Sequence, residues 1–308
     1  MRGIELSKAY FEEFGRPMLE RDFAQYIGKM AIGLVGHGSE CFGFDDVIST
    51  DHDFEPGFCI WITDEDEKEF GFKLFRAYSK LPKEYRGIKC LEHSAFGSKE
   101  KGVHTISEFF LTYTGRRGAP ETWQDWLYTP SHYFAEATNG EIFFDAYGEF
   151  SRIRNEILHG MPEDVRLKRI ASCALHMAQS GQYNYKRCIN HGEPGAARLA
   201  LDEFIRNCAE IVFLLEKRHA PYYKWIFRAM RELPRLSPFA EKLQRLATLN
   251  SDETLMIEIL IEEISSDIIS EFKEQGITEA TCNYLESHAY SINDMIENSE
   301  IRNLHVLL

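Results

Sequence analysis

Gly36-His37-Gly38-Ser39-Glu40, followed after ten residues by Asp51-His52-Asp53, is the stretch that decides the fold. The apolar run over 30–35 ahead of it predicts a short buried strand feeding a tight glycine-serine turn. Side chains alternate along a strand, so Asp51 and Asp53 at i and i+2 are expected on one sheet face. Two carboxylates on one face suit a hard divalent cation. A Gly-Ser turn beside them offers backbone N–H groups and a hydroxyl to a polyphosphate. The pattern points to metal-assisted transfer at a nucleotide phosphate.

Working outward, helical spacing predicts two opening helices over 5–14 and 17–29, the second with Pro17 at its start, where a missing N–H costs little. A connection over 40–50 leads to a strand over 51–63, whose Gly57-Phe58-Cys59-Ile60-Trp61-Ile62 is strongly strand-like. A helix over 67–81 follows, then weaker strands over 88–93 and 103–106. Ser107 reads as the N-cap of a short helix over 108–113. The aromatic segment 123–133 packs what comes next. From about residue 150 strand signals fade, and helices are expected over 150–158, 163–180, 196–218, 225–232, 238–249, 252–274 and 279–287. Ala197, Leu201, Phe204, Cys208, Ile211 and Leu215 form a stripe suited to a bundle core. The expected fold class is α+β: a mixed sheet flanked by helices over 1–145, then an all-α bundle over 146–308.

Composition narrows the function classes. The net charge of −14 argues against broad nucleic-acid binding, which needs Lys and Arg to neutralise phosphates, though not against a local basic patch. No run of about eighteen apolar residues appears, so no membrane span is expected. The opening residues lack a signal-peptide apolar core. Seven scattered cysteines without a Cys-x-x-Cys pair read as reduced thiols, and a cytoplasmic location is expected. Arg166, Lys168 and Arg169 read as a solvated helix face. Lys217, Arg218, Lys224 and Arg228 form a second basic group.

Gly38-Ser39, then Asp51 and Asp53, resembles the signature of the DNA-polymerase-beta-like nucleotidyltransferase superfamily. The longer block from Gly38 through Cys59, with Glu216-Lys217-Arg218-His219-Ala220-Pro221-Tyr222-Tyr223-Lys224-Trp225, looks like an uncharacterised bacterial family within it. The resemblance implies a Gly-Ser at the start of a helix. It implies Asp51 and Asp53 as catalytic ligands of Mg²⁺ (or Mn²⁺), and Gly38 and Ser39 as holders of the phosphates of a nucleoside triphosphate (NTP). It leaves the acceptor open: a small molecule, a protein side chain or a tRNA end.

Other residues are weighed around this core. His37 sits in the turn and is a candidate phosphate contact, whereas His52 points away from its flanking aspartates and reads as structural. Glu40, Asp45 and Asp46 read as solvated loop acids. The third carboxylate common in the superfamily has three candidates, Glu92, Glu108 and Asp145, while Val103-His104-Thr105-Ile106 carries none. Lys224 and Arg218 are candidates to neutralise triphosphate, Tyr222 or Tyr223 to stack, and Glu216 to act as general base. The alternative is a catalytically degenerate nucleotide-binding regulatory module.

Overall fold

The computed structural model describes residues 2–46, 55–90 and 101–308, and contacts divide the chain into two units, Met1–Gly160 and Met161–Leu308. The first unit is built on a four-stranded mixed sheet. β1 (Ala31–Leu34) pairs antiparallel with β2 (Cys59–Ile62). Two short strands, β3 (Glu84–Tyr85) and β4 (Ile88–Lys89), form a separate hairpin. β5 (Gly102–Thr105) runs parallel to β2, and β6 (Glu141–Asp145) is antiparallel to β1, giving the order β5-β2-β1-β6.

Period-2 alternation along β2 decides what covers each face. Phe58, Ile60 and Ile62 join Ile32 in a core with Leu6, Tyr10, Phe11, Met18 and Leu19. These come from α1 (Gly3–Tyr10) and α2 (Arg16–Asp22), joined without a break by a π-helical turn at Phe11–Gly15. The two opening helices expected from sequence are thus one continuous helix. It ends at Asp22 rather than near residue 29, where only a 3₁₀ turn (Ile27–Lys29) stands. Gly15 lets this helix lie close against Phe58, because a Cβ there would lie 2.4 Å from the Phe58 ring. α3 (Asp64–Asp66) continues through a π turn into α4 (Phe72–Tyr78) on the same side. Thr63 starts it, its Oγ1 accepting from Asp66 N–H at 3.1 Å.

On the opposite face Trp61 stacks on Phe150 at 4.2 Å and meets Phe109 edge-on at 5.4 Å. Phe109 lies on α5 (Ile106–Thr114) and Phe150 on α8 (Glu149–His159). Thr105, not Ser107, caps α5, its Oγ1 accepting from Glu108 N–H at 3.2 Å. Two short helices, α6 (Trp123–Tyr128) and α7 (Ser131–Thr138), occupy the aromatic segment. The strand β6 was not expected at all.

The second unit is helical throughout: α9 (Glu163–Met177), α10 (Lys186–Asn190), α11 (Pro194–Leu215), α12 (Tyr223–Met230), α13 (Phe239–Thr248), α14 (Thr254–Glu274), α15 (Leu285–Asp294) and α16 (Ser299–Arg302). The helix expected over 279–287 is α15, displaced toward the C-terminus. Arg166 and Lys168 are not a solvated face. Both are buried, and Lys168 Nζ donates to Asn293 Oδ1 at 2.8 Å and to the Leu304 carbonyl at 2.7 Å. No helix among the described residues is long and apolar enough to cross a membrane.

His288 is fully buried on α15, between the Thr278 hydroxyl at 2.9 Å and the Cys282 carbonyl at 2.8 Å, and burial holds its pKa below the ordinary histidine value. The unfolded chain therefore binds a proton before the folded one does. Stability contributed by neutral His288 is full above about pH 6.5 and falls as the pH drops below it, by up to about 1.4 kcal/mol per pH unit. Denaturant melts of the native protein and His288→Gln from pH 7.5 to 5.5 test this. The native protein should show the steeper loss, and parallel curves would refute it.

Candidate active site

β1 delivers the chain into the Gly-Ser turn, and two backbone demands shape it. Gly36 (φ 125°) and Gly38 (φ 106°) adopt conformations that L side chains rarely reach. A Cβ on Gly36 would stand 2.8 Å from the Tyr113 hydroxyl, and one on Gly38 2.9 Å from Glu40 Oε2. After Ser39 the chain makes one helical turn and stops. The Gly43 N–H donates to the Glu40 carbonyl and the Phe44 N–H to the Ser39 carbonyl at 2.8 Å, with Gly43 left-handed at φ 69°. The helix that the resemblance implies after Gly-Ser is therefore a single turn. Among the described residues, no acceptor meets the backbone N–H groups of Gly38, Ser39 or Glu40. Such N–H groups at the opening of a turn are donors for an anion.

The turn is held from below by β6 and its flanks. Asn139 clasps Gly36, accepting its N–H on Oδ1 at 2.9 Å and donating from Nδ2 to its carbonyl at 2.8 Å. The next N–H, of Gly140, donates to the Cys41 carbonyl at 2.7 Å. Arg154 on α8 in turn secures this connection, donating from Nη2 to the carbonyls of Thr138 at 2.7 Å and Asn139 at 3.0 Å. Burial draws its guanidinium below the ordinary arginine value. His37 is exposed, with Nδ1 2.8 Å from Glu136 Oε2.

Glu40 is the main correction to the loop. It is buried, not solvated, and its Oε1 lies 3.1 Å from Nζ of Lys101, whose side chain is 8% exposed. Lys101 Nζ donates as well to the Glu55 carbonyl at 2.8 Å. One ammonium thus ties the Gly-Ser turn to the backbone just beyond Asp53. The Tyr78 hydroxyl grips the same segment, accepting from Phe58 N–H at 3.1 Å and donating to Phe58 carbonyl at 2.7 Å. Desolvation raises its pKa well above the ordinary tyrosine value. Asp45 also departs from the expectation: its Oδ2 accepts from Gly3 N–H at 2.7 Å, at the start of α1.

Asp51, His52, Asp53 and Glu92 lie outside the described residues, so the strand expected at 51–54 does too. Among the described residues no group of three or more His, Cys, Asp or Glu side chains is arranged to hold a metal ion. Of the candidate third carboxylates, Asp145 is committed elsewhere: Oδ1 accepts from Gly148 N–H at 2.8 Å and Oδ2 from Ser151 N–H at 2.9 Å, capping α8. Glu108 is exposed in the first turn of α5. In the second unit Arg218, Tyr222 and Lys224 are exposed. Lys224 Nζ stands 5.6 Å over the Trp225 ring, and Tyr222 packs on Tyr223 at 4.5 Å. Glu216 is not placed as a base, because its Oε1 accepts from the backbone N–H groups of Arg235 at 2.8 Å and Leu236 at 2.7 Å. Lys101, Asn139, Gly140 and Arg154 were missed by the sequence reading. Only the Asn-Gly dipeptide carried a signal, as a turn.

Comparison with known proteins adds three findings. Residues 126–226 match a family model described as a domain of unknown function (DUF4037). That span holds Asn139, Gly140 and Arg154, and extends to Arg218, Tyr222 and Lys224. No curated protein matches the chain. The crystal structure of a nucleotidyltransferase-like protein from Exiguobacterium sibiricum 255-15 aligns over 91% of this chain and 90% of that one, at 10% identity and a TM-score of 0.37. A likeness that slight adds nothing to the sheet topology above.

Proposed function

We propose that this chain is a metal-dependent nucleotidyltransferase, moving a nucleoside monophosphate from an NTP to an acceptor hydroxyl and releasing pyrophosphate. The observation that carries the reading is the turn at Gly38-Ser39-Glu40. Its N–H groups meet no acceptor among the described residues, and its buried carboxylate is neutralised by Lys101. An unpaired Glu40 would repel a phosphate; the ion pair removes that obstacle. Gly38 and Ser39 would hold the β- and γ-phosphates, with His37 at the rim. Asp51 and Asp53 have the hard oxygen donors that suit Mg²⁺ or Mn²⁺, which when bound supplies charge stabilisation for an in-line displacement.

The second reading, a nucleotide-binding module without transfer, draws on β5, which carries no acid beside β2, and on the use of Asp145 as a helix cap. Pyrophosphate release separates the two.

The test is thermal stabilisation by ATP, GTP, CTP and UTP with Mg²⁺ or Mn²⁺. One nucleotide at about a hundred times its dissociation constant should stabilise the native protein by about 2.7 kcal/mol, and Asp51→Asn/Asp53→Asn should lose the effect. No shift with any nucleotide would sink both readings.

A further inference from the structure

The segment that ends α7 meets the Gly-Ser turn at successive points. Asn139 clasps Gly36, the Gly140 N–H donates to the Cys41 carbonyl, and Glu136, on the last turn of α7, stands against His37. The first two contacts hold backbone, whereas the third joins side chains. Glu136 is 6% exposed, and its Oε2 lies 2.8 Å from His37 Nδ1. Among the described residues no hydrogen bond satisfies that oxygen. A buried carboxylate oxygen left in this way is costly, and packing alone would be better served by an apolar side chain.

The other carboxylates around the turn have structural partners. Glu40 pairs with Lys101, Asp45 accepts from Gly3 N–H, and Asp145 caps α8. Glu136 instead faces a side chain that reaches solvent. The His37 side chain is 48% exposed, with its ring 5.4 Å from that of Tyr113. The two nitrogens of an imidazole lie on different edges of the ring, so Nδ1 turned to Glu136 leaves Nε2 on an edge away from it.

We infer that Glu136 is a positioning residue: it sets His37 so that Nε2 bears on the pyrophosphate portion of the nucleotide, which gives the site a preference for a triphosphate over a monophosphate. This rests on the reading of Gly38-Ser39 as the phosphate turn. In the bound state the ring is an imidazolium between two anions, Nδ1 donating to Glu136 and Nε2 to a phosphate oxygen. The 2.8 Å contact then closes into the hydrogen bond that Oε2 lacks. A carboxylate beside phosphates repels them on its own, and it helps only through the cation it holds. The sign of its removal therefore tells the two roles apart.

Isothermal titration calorimetry with Mg²⁺ tests this, using the NTP that stabilises the protein, the matching NMP and inorganic pyrophosphate. In Glu136→Gln and in His37→Ala, affinity for the NTP and for pyrophosphate should fall about tenfold or more, the range for a hydrogen bond to a charged group, while NMP affinity stays at the native level. The double variant should lose no more than either single variant, because Glu136 acts through His37. Glu136→Asp, which keeps the charge and withdraws it from the ring, should behave as Glu136→Gln does, and it carries the test if the glutamine variant does not fold. Equal or tighter NTP binding in Glu136→Gln would overturn this inference alone and leave the transfer reading standing, since the lost charge would only have relieved repulsion. Additive losses in the double variant, or NMP weakened as much as NTP, would reduce Glu136 to a support of the fold. If the native protein binds neither NTP nor pyrophosphate, the phosphate turn itself is misread and this inference falls with it.

Discussion

Lys101→Met is expected to lower the stability of the first unit by about 3–5 kcal/mol, the range for stranding one member of a buried ion pair. The substitution keeps most of the side chain's length and removes its charge. Glu40, 3% exposed, would then hold a carboxylate with no cation, and the Glu55 carbonyl would lose its donor at 2.8 Å. Glu40→Leu/Lys101→Met should be much closer to the native protein than Lys101→Met, because removing both charges leaves neither stranded. Denaturant melts of the native protein, both single variants and the double variant give the coupling directly. Equal, additive losses would show that the pair contributes only shape. The same variant bears on the proposed site: with Glu40 uncompensated beneath the turn, the NTP-dependent rise in melting temperature should shrink in Lys101→Met.

That pair also shows where sequence reasoning stops. β1 and β2 were legible because their side chains are apolar and all buried, so the runs Ala31–Leu34 and Cys59–Ile62 needed no knowledge of their neighbours. β6 was not, because Glu141-Ile142-Phe143-Phe144-Asp145 lies at the sheet edge with every residue half-buried. Such a strand shows neither a solid apolar run nor a clean alternation. The two glycines that bracket it, Gly140 and Gly148, were the signal, and an Asn-Gly turn before an aromatic pair reads as strand once β1 is taken to need a partner. The Gly-Ser turn was legible as a motif, but its supports were not. Lys101, Asn139 and Arg154 act on it from 60 to more than 100 residues away in sequence, by contacts that exist only in the folded chain. Glu40, Arg166 and Lys168 misled for a related reason: a charge reads as solvated until its buried partner is known.

Gly140→Ala should cost the first unit more than about 3 kcal/mol, and a control separates the causes. Gly140 has φ 68°, and a Cβ there would lie 1.9 Å from the Leu34 carbonyl oxygen, 2.9 Å from its carbon and 3.1 Å from Val35 Cα. Every one of these atoms is backbone at the end of β1, so no rotamer change can relieve the overlap; the sheet or the turn must move. Gly148 has φ 78° but nothing within 4 Å of its Cβ position. Gly148→Ala therefore carries only the cost of a left-handed L-residue, about 1–2 kcal/mol. The excess of Gly140→Ala over Gly148→Ala reports the close approach alone, which overpacking puts at about 1–3 kcal/mol or more. Movement here would also break the Gly140 N–H bond to Cys41 and displace Asn139 from Gly36, so nucleotide-dependent stabilisation should fall in Gly140→Ala and persist in Gly148→Ala. Equal losses of stability in the two variants would mean that the β1–β6 corner yields freely, and that Gly140 does not set the position of the turn.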